Sequence, residues 1–197
     1  VIVLNRKGLR VVAGLCGLVV PVLVFSLIFL AIHYSPWFDW RRNALSDLGV
    51  DGVAALLFNS GLIVGGLLLL PFSIGVVRVL PRGVLSLLGV VLLVLSTLSL
   101  CGIGLFPETA GRVHLYFSIA FFVLLPLSFI FMGVSELRHP NMRSEGILII
   151  LVAISAALIW TLPWSSVAIP EAASALLGYI LVAVKALELI REPVTEG

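Results

Sequence analysis

The sequence predicts an all-α, polytopic integral membrane protein: a six-transmembrane-helix antiparallel bundle, one domain over residues 1–197, with both termini cytoplasmic. Three observations predict it. Hydrophobic residues make up 61% of the chain and charged residues only 11%, against about half and about a quarter in an ordinary soluble protein. Six apolar segments recur, each near the ~20 residues that cross a hydrocarbon layer as a helix. The connections between them are short, which folds each span back on the one before. In lipid the backbone must satisfy its own hydrogen bonds, so the spans are predicted as helices. The net charge is only +2, and no dense basic run is present, which speaks against nucleic acid as a partner.

Span one is predicted over 11–34. Arg6, Lys7 and Arg10 precede it like the charged start of a signal peptide. The apolar run is longer than an h-region of about 7–15 residues and lacks an Ala-x-Ala exit, so it is read as a retained span. Gly14 and Gly17 suit close helix packing. The loop PWFDWRRNALSDLG suits an interfacial segment, with Trp37, Trp40 and Leu45 dipping into lipid. Asp51 suits the N-cap of span two, predicted over 53–79. That span carries Asn59 about two turns in, then Gly61 and Gly65 as a small-xxx-small pair. Leu80-Pro81-Arg82-Gly83 leads to span three, 84–106, with Ser96 and Ser99 in its outer half. The turn from Pro107 to Arg112 leads to span four, 113–136, which His114 opens. Span five is predicted over 146–163, with Ala153 and Ala157 repeating the small-residue spacing, and span six over 171–190. LLPFS at 69–73 and LLPLS at 124–128 form a weak echo, and Pro71 and Pro126 are expected to kink their helices. Cys16 and Cys101 lie in apolar runs without metal-ligand spacing and are read as small packing residues.

Lys and Arg set the orientation. With the N-terminus inside, Arg6, Lys7, Arg10, Arg78, Arg82, Arg138, Arg143, Lys185 and Arg191 are inner, while Arg41, Arg42 and Arg112 are outer. The excess on one side predicts cytoplasmic termini in a multi-pass protein of the cell membrane. Trp37, Trp40, Trp160 and Trp164 then fall at the outer interface, as interfacial tryptophans do. Lys185 is near enough to the inner end of span six to snorkel. Glu136, Arg138, His139, Arg143, Glu145 and Glu188 read as solvated helix ends with local ion pairs.

On this topology the outer side gathers His33, the residues from Arg41 to Asp51, Asn59, Glu108, His114, Ser165, Ser166 and Glu171. Asn59 inside a span needs a protein partner or a cavity: either a cross-helix bond or a site role satisfies it. Carboxylates beside a histidine suit acid–base chemistry, with Ser46, Asp47, Glu108 and His114 as candidate catalytic residues. Asn59, Arg41, Arg42 and Trp37 are candidate ligand-binding residues. His33, Asp47 and His114 are candidate ligands for a divalent metal, because imidazole and carboxylate suit zinc and similar ions.

NALSDLG in the first loop, FNSGLIVGG opening span two and CGIGLFPETAGRVHLYFSIAFF across spans three and four resemble together a prokaryotic six-span membrane-protein family, domain of unknown function 998. The resemblance covers nearly the whole chain. It maps onto Ser46, Asp47, Gly49, Asn59, Gly61, Pro107, Glu108 and His114, and it implies six spans but no activity. The S-D-x-G loop is also similar, at the level of the fold, to eukaryotic six-span proteins of lipid-anchor remodelling and autophagy modulation; fold alone does not give function. Ser, Asp and His in such a frame resemble membrane ceramidase-type hydrolases, although only His33 and His114 stand on this chain's outer side. The expected partners are the lipid bilayer and a lipid or isoprenoid head group, bound or acted on by the outer cluster. A non-enzymatic scaffold or a small neutral-solute transporter is the alternative. The absence of a charged residue at the predicted midplane disfavours an ion pathway. The sequence names no reaction, substrate or oligomeric state.

Overall fold

The computed structural model describes residues 6–191, and among them the chain is helical without strands. Six long helices follow one another: α1 (Arg6–His33), α2 (Gly52–Gly75), α3 (Val84–Leu105), α4 (Arg112–Leu137), α5 (Arg143–Leu158) and α6 (Ala168–Arg191). Each of the six candidate spans, some including a short 3-10 turn, is long and apolar enough to cross a membrane. Where their ends depart from the predicted spans, the reason is local. α1 starts at Arg6 rather than 11 because Arg and Lys, though too polar for the lipid interior, are good helix formers. α5 stops at Leu158 rather than 163. A 3-10 turn, Ile159–Thr161, follows, and Leu162, the residue before Pro163, is extended, as a following proline requires. α6 begins at Ala168 rather than 171, and Pro170 sits in its first turn, where the missing N–H has no helical partner to lose.

The helices pack in chain order, and α6 closes the bundle against α1. Val20, Phe72, Leu93, Phe129, Ile149 and Val182 bring one residue from each helix into the interior, all at most 1% exposed. The outer surface is just as apolar: Val22, Leu56 and Val84 are about 70% exposed or more. Water rejects such a continuous apolar surface, and lipid accepts it. With lipid outside, burial of apolar area no longer separates helix from solvent, so close packing and hydroxyl bonds hold the seams. Gly65 leaves room for Val24 of α1. Gly133 of α4 and Gly146 of α5 each lie against the other's carbonyl oxygen. Ser73 bonds Thr97 at 3.0 Å between α2 and α3, and Ser86 bonds Ser135 at 2.8 Å between α3 and α4. Gly14, Gly17 and Gly61 also abut neighbouring helices, as expected. Ala153 is buried, but its predicted partner Ala157 is exposed, and Ala156 takes the inward place.

Three connections, α1–α2, α3–α4 and α5–α6, lie at the end of the bundle opposite the start of α1, here the far end. Gly52 and Gly111 adopt positive φ there, 67° and 60°, and turn the chain into α2 and α4. Glycine takes that conformation without the clash a Cβ brings. These turns set the directions from which the far-end side chains approach one another.

Candidate functional site

The loop from α1 to α2 is a folded unit held by its own side chains. Asp39 N–H donates to Asn43 Oδ1 at 2.9 Å, and Arg41 N–H donates to Asp39 Oδ1 at 2.9 Å. Asp47 Oδ2 accepts from Asn43 Nδ2 at 2.8 Å and from Ala44 N–H at 3.0 Å, which winds the 3-10 turn Ser46–Gly49. Asp51 caps α2 through Gly52 N–H at 2.7 Å, as predicted. Asn59 Nδ2 donates to the Gly49 carbonyl at 2.9 Å and ties the loop to α2. A side chain at Gly49 would run into Asn59 Oδ1, so the Leu-Gly of the loop and the Asn of the helix fit as a pair. Ser166 Oγ donates to the Trp40 carbonyl, and Ala168 N–H to the Asn43 carbonyl. The start of α6 is thereby fastened to the same loop.

Beside this unit lies a groove of about 750 Å³ between α4, α5 and the start of α6. Its body is apolar, with Phe122, Val123, Pro126, Ile130, Ala157 and Trp160 in the walls. Leu115, Ile119 and Val123 line it and also belong to the exposed face of α4, so it opens sideways toward the surroundings of the bundle. Its far end is polar: Ser46, Glu108, His114 and Glu171. Ser46 and Glu171 also border a smaller inner cavity of about 50 Å³, lined by Phe58 and Tyr179 among others.

His114 is buried, and its Nδ1 lies 2.8 Å from the Phe106 carbonyl. A carbonyl only accepts, so Nδ1 carries the hydrogen and donates it. Nε2 takes no hydrogen bond among the described residues. Glu171 Oε2 accepts from Leu45 N–H at 2.7 Å. Glu108 is exposed on its outer side, yet its carboxyl is held above the ordinary carboxylate value. Partial desolvation is the largest cause and the neighbouring Asp47 carboxylate the next; Ser46 and His114 pull the other way.

The structure thus brings Ser46, Asp47, Glu108 and His114 to one end of the bundle, with Asn59 just behind. Others it leaves apart. Arg41 and Arg42 are exposed, Arg42 facing Asp39 at 3.5 Å. Trp37 is exposed against Phe38, and His33 is exposed against Tyr34. None of these four lines the groove. Among the described residues no three His, Cys, Asp or Glu side chains gather to hold a metal ion, so His33 is not brought together with Asp47 and His114. Glu171 is the groove residue that site prediction missed. In sequence it looks like an ordinary acid in the first turn of a helix, and only its loop assignment hinted at more.

At the opposite end the solvated reading of Lys185 and Glu136 is overturned. Both side chains are 0% exposed and paired with each other. Lys185 Nζ also donates to Glu145 Oε1 at 3.0 Å and to Glu188 Oε2 at 2.9 Å. Lys185–Glu188 is a visible i,i+3 pair, but Glu136 and Glu145 arrive from α4 and α5. Only tertiary packing joins them to α6.

A family model described as protein of unknown function (DUF998) matches residues 18–188, the family that the loop and span motifs resemble. No curated protein and no solved structure matches the chain.

Proposed function

The chain belongs to the DUF998 family, whose description names no reaction, and we propose from the site itself that this integral membrane protein takes up one lipid chain sideways into the α4–α5–α6 groove and holds its head group at the polar far end. The groove carries this reading. Small-molecule sites are mostly apolar with a few convergent polar groups, and about 750 Å³ lies within their usual range. An apolar slot open along the exposed face of α4 suits a hydrocarbon tail better than a water-soluble solute. The His114 ring and the Glu108 carboxyl, whose proton affinity is raised, stand together at the head end. Together they are equipped to move a proton at a head group, with the Ser46 hydroxyl beside them. Asp47 and Asn59 act at one remove: their bonds hold the loop that presents Ser46.

Native mass spectrometry of protein released from the membrane tests this. Wild type is expected to retain one lipid, and Ala157→Trp, which fills the groove from its exposed wall, to lose it at unchanged melting temperature. Retention by the filled variant refutes the reading. A specific observation also supports a scaffold role for the loop, because most of its polar atoms are already bonded within the chain. If the scaffold reading holds alone, neither wild type nor variant carries lipid, and Asn59→Ala lowers stability.

A further inference from the structure

We infer that the head end of the groove selects a protonated amine, so that the occupant is a single-chain long-chain amine rather than a phosphate- or carboxylate-bearing lipid. This rests on the groove as a lipid site and adds the chemistry of the head.

The argument is an inventory of what the polar end offers. Glu108 and Glu171 line it with carboxylates, and Asp47 stands close enough to both to repel them. His114, 7% exposed, lines the groove with a ring whose Nδ1–H is already given to the Phe106 carbonyl. Ser46 and Ser118 supply hydroxyls that either donate or accept. No lysine or arginine lines the groove. Arg41 and Arg42 of the same loop are exposed and apart from it. An end in which two glutamates, with Asp47 beside them, face one histidine and two hydroxyls calls for a ligand that donates and is positive. Phosphate and carboxylate heads meet the repulsion of these glutamates with no lysine or arginine to relieve it. A hydroxyl head supplies a single donor without charge. An ammonium supplies three donors and a charge, enough to engage Glu108, Glu171 and a serine hydroxyl together. The same chain shows the arrangement elsewhere: at the other end of the bundle Lys185 sets one ammonium among Glu136, Glu145 and Glu188.

The test uses three probes with the same saturated C18 chain: the primary amine, the alcohol and the carboxylic acid. Binding to the purified full chain in detergent is read by displacement of a fluorescent lipid. The groove-filled Ala157→Trp variant is the blank for partition into micelles. The expected result is amine binding at least tenfold tighter than alcohol, with the acid weakest. In Glu108→Gln/Glu171→Gln the preference for amine over alcohol should fall toward unity while alcohol binding persists. Because Glu171 also bonds Leu45 N–H, Glu108→Gln alone, on an exposed turn, serves as the variant whose fold is not at stake, and it should lose part of the preference. Equal binding of amine and alcohol, or tighter binding of the acid, overturns the amine inference and leaves the groove reading standing. If no C18 probe binds above the blank, the groove reading itself fails.

Discussion

Lys185 is the residue whose environment is least evident from its neighbours in sequence. A charge taken out of water is tolerated only with close partners, and removing one partner strands the others. Lys185→Met is therefore expected to destabilise the fold by roughly 3–5 kcal/mol, read by reversible denaturant unfolding in mixed micelles. Adding Glu136→Gln should recover a measurable part, because the stranded carboxylate is then gone. A Lys185→Met protein as stable as wild type contradicts the ion cluster. Asn59 gives a smaller effect of the same kind. Loss of its bond to the Gly49 carbonyl in Asn59→Ala should cost about 1 kcal/mol, and Gly49→Ala should cost more in wild type than in the Asn59→Ala background, where the clash with Oδ1 is absent. Glu108 adds a pH dependence. Its carboxyl binds a proton more tightly folded than unfolded, so the folded chain holds more protons just above the ordinary carboxylate range. Stability should then fall as pH rises through that window and be regained on acidification. Glu108→Gln should flatten that part of a melting-temperature profile; an unchanged slope would show that another group titrates there. Legibility differs among these residues for a physical reason. Asp51 as a cap and Asn59 as a bonded amide follow from rules that act over a few residues. Glu136 and Glu145 meet Lys185 from other helices and Glu171 meets Leu45 of a distant loop, and no local pattern carries that information.

At the scale of elements, the glycines separate seam from groove. Gly133 and Gly146 let α4 and α5 touch backbone to backbone: a Cβ on Gly146 would stand 2.7 Å from the Gly133 carbonyl oxygen. Gly146→Val must push the helices apart and is expected to cost on the order of 1–3 kcal/mol, as overpacking does. Ala157→Val, on the same helix but facing the groove, should change stability little and reduce lipid retention instead. Thermal unfolding and native mass spectra of the two variants read the two effects independently. A reversal of the pattern would mean that α5 is rotated from its described face. The six spans were legible because each is set by hydropathy over ~20 residues, which needs no knowledge of neighbours. Their ends were legible to within a few residues, and the misses at α5 and α6 trace to Pro163 and Pro170, whose effects depend on where in a turn they fall. The pairing of Ala153 with Ala157 was misread because small residues look alike from sequence whether they face a helix or a cavity.

For the molecule as a whole, polarity is concentrated at two ends joined by α6, which carries Glu171 at one and Lys185 at the other, about 21 Å apart at 1.5 Å per helical residue. Between them, among the described residues, the interior carries hydroxyls such as Ser73 and Thr97 but no charged side chain, and the groove descends from the far end along α4 past Pro126 to Ile130. That proline takes away the N–H that would bond the Phe122 carbonyl, and both residues line the groove. Composition alone made the membrane class legible, and the gathering of Ser46, Glu108 and His114 at one end followed from topology. The groove itself was not legible, since its walls come from α4, the end of α5 and the start of α6, which only tertiary packing brings together. Which compartment the groove head meets depends on orientation, and the charge distribution makes a definite prediction. Arg and Lys concentrate at the end carrying the termini, so that end should face the cytoplasm. In a background with Cys16→Ser and Cys101→Ala, a cysteine placed at Thr109 should react with a membrane-impermeant maleimide on intact cells. One placed at Asn141 should react only after the membrane is opened. The reverse pattern would put Glu108, His114 and Glu171 on the cytoplasmic leaflet, and the amine drawn into the groove would then have to come from the inner face of the membrane.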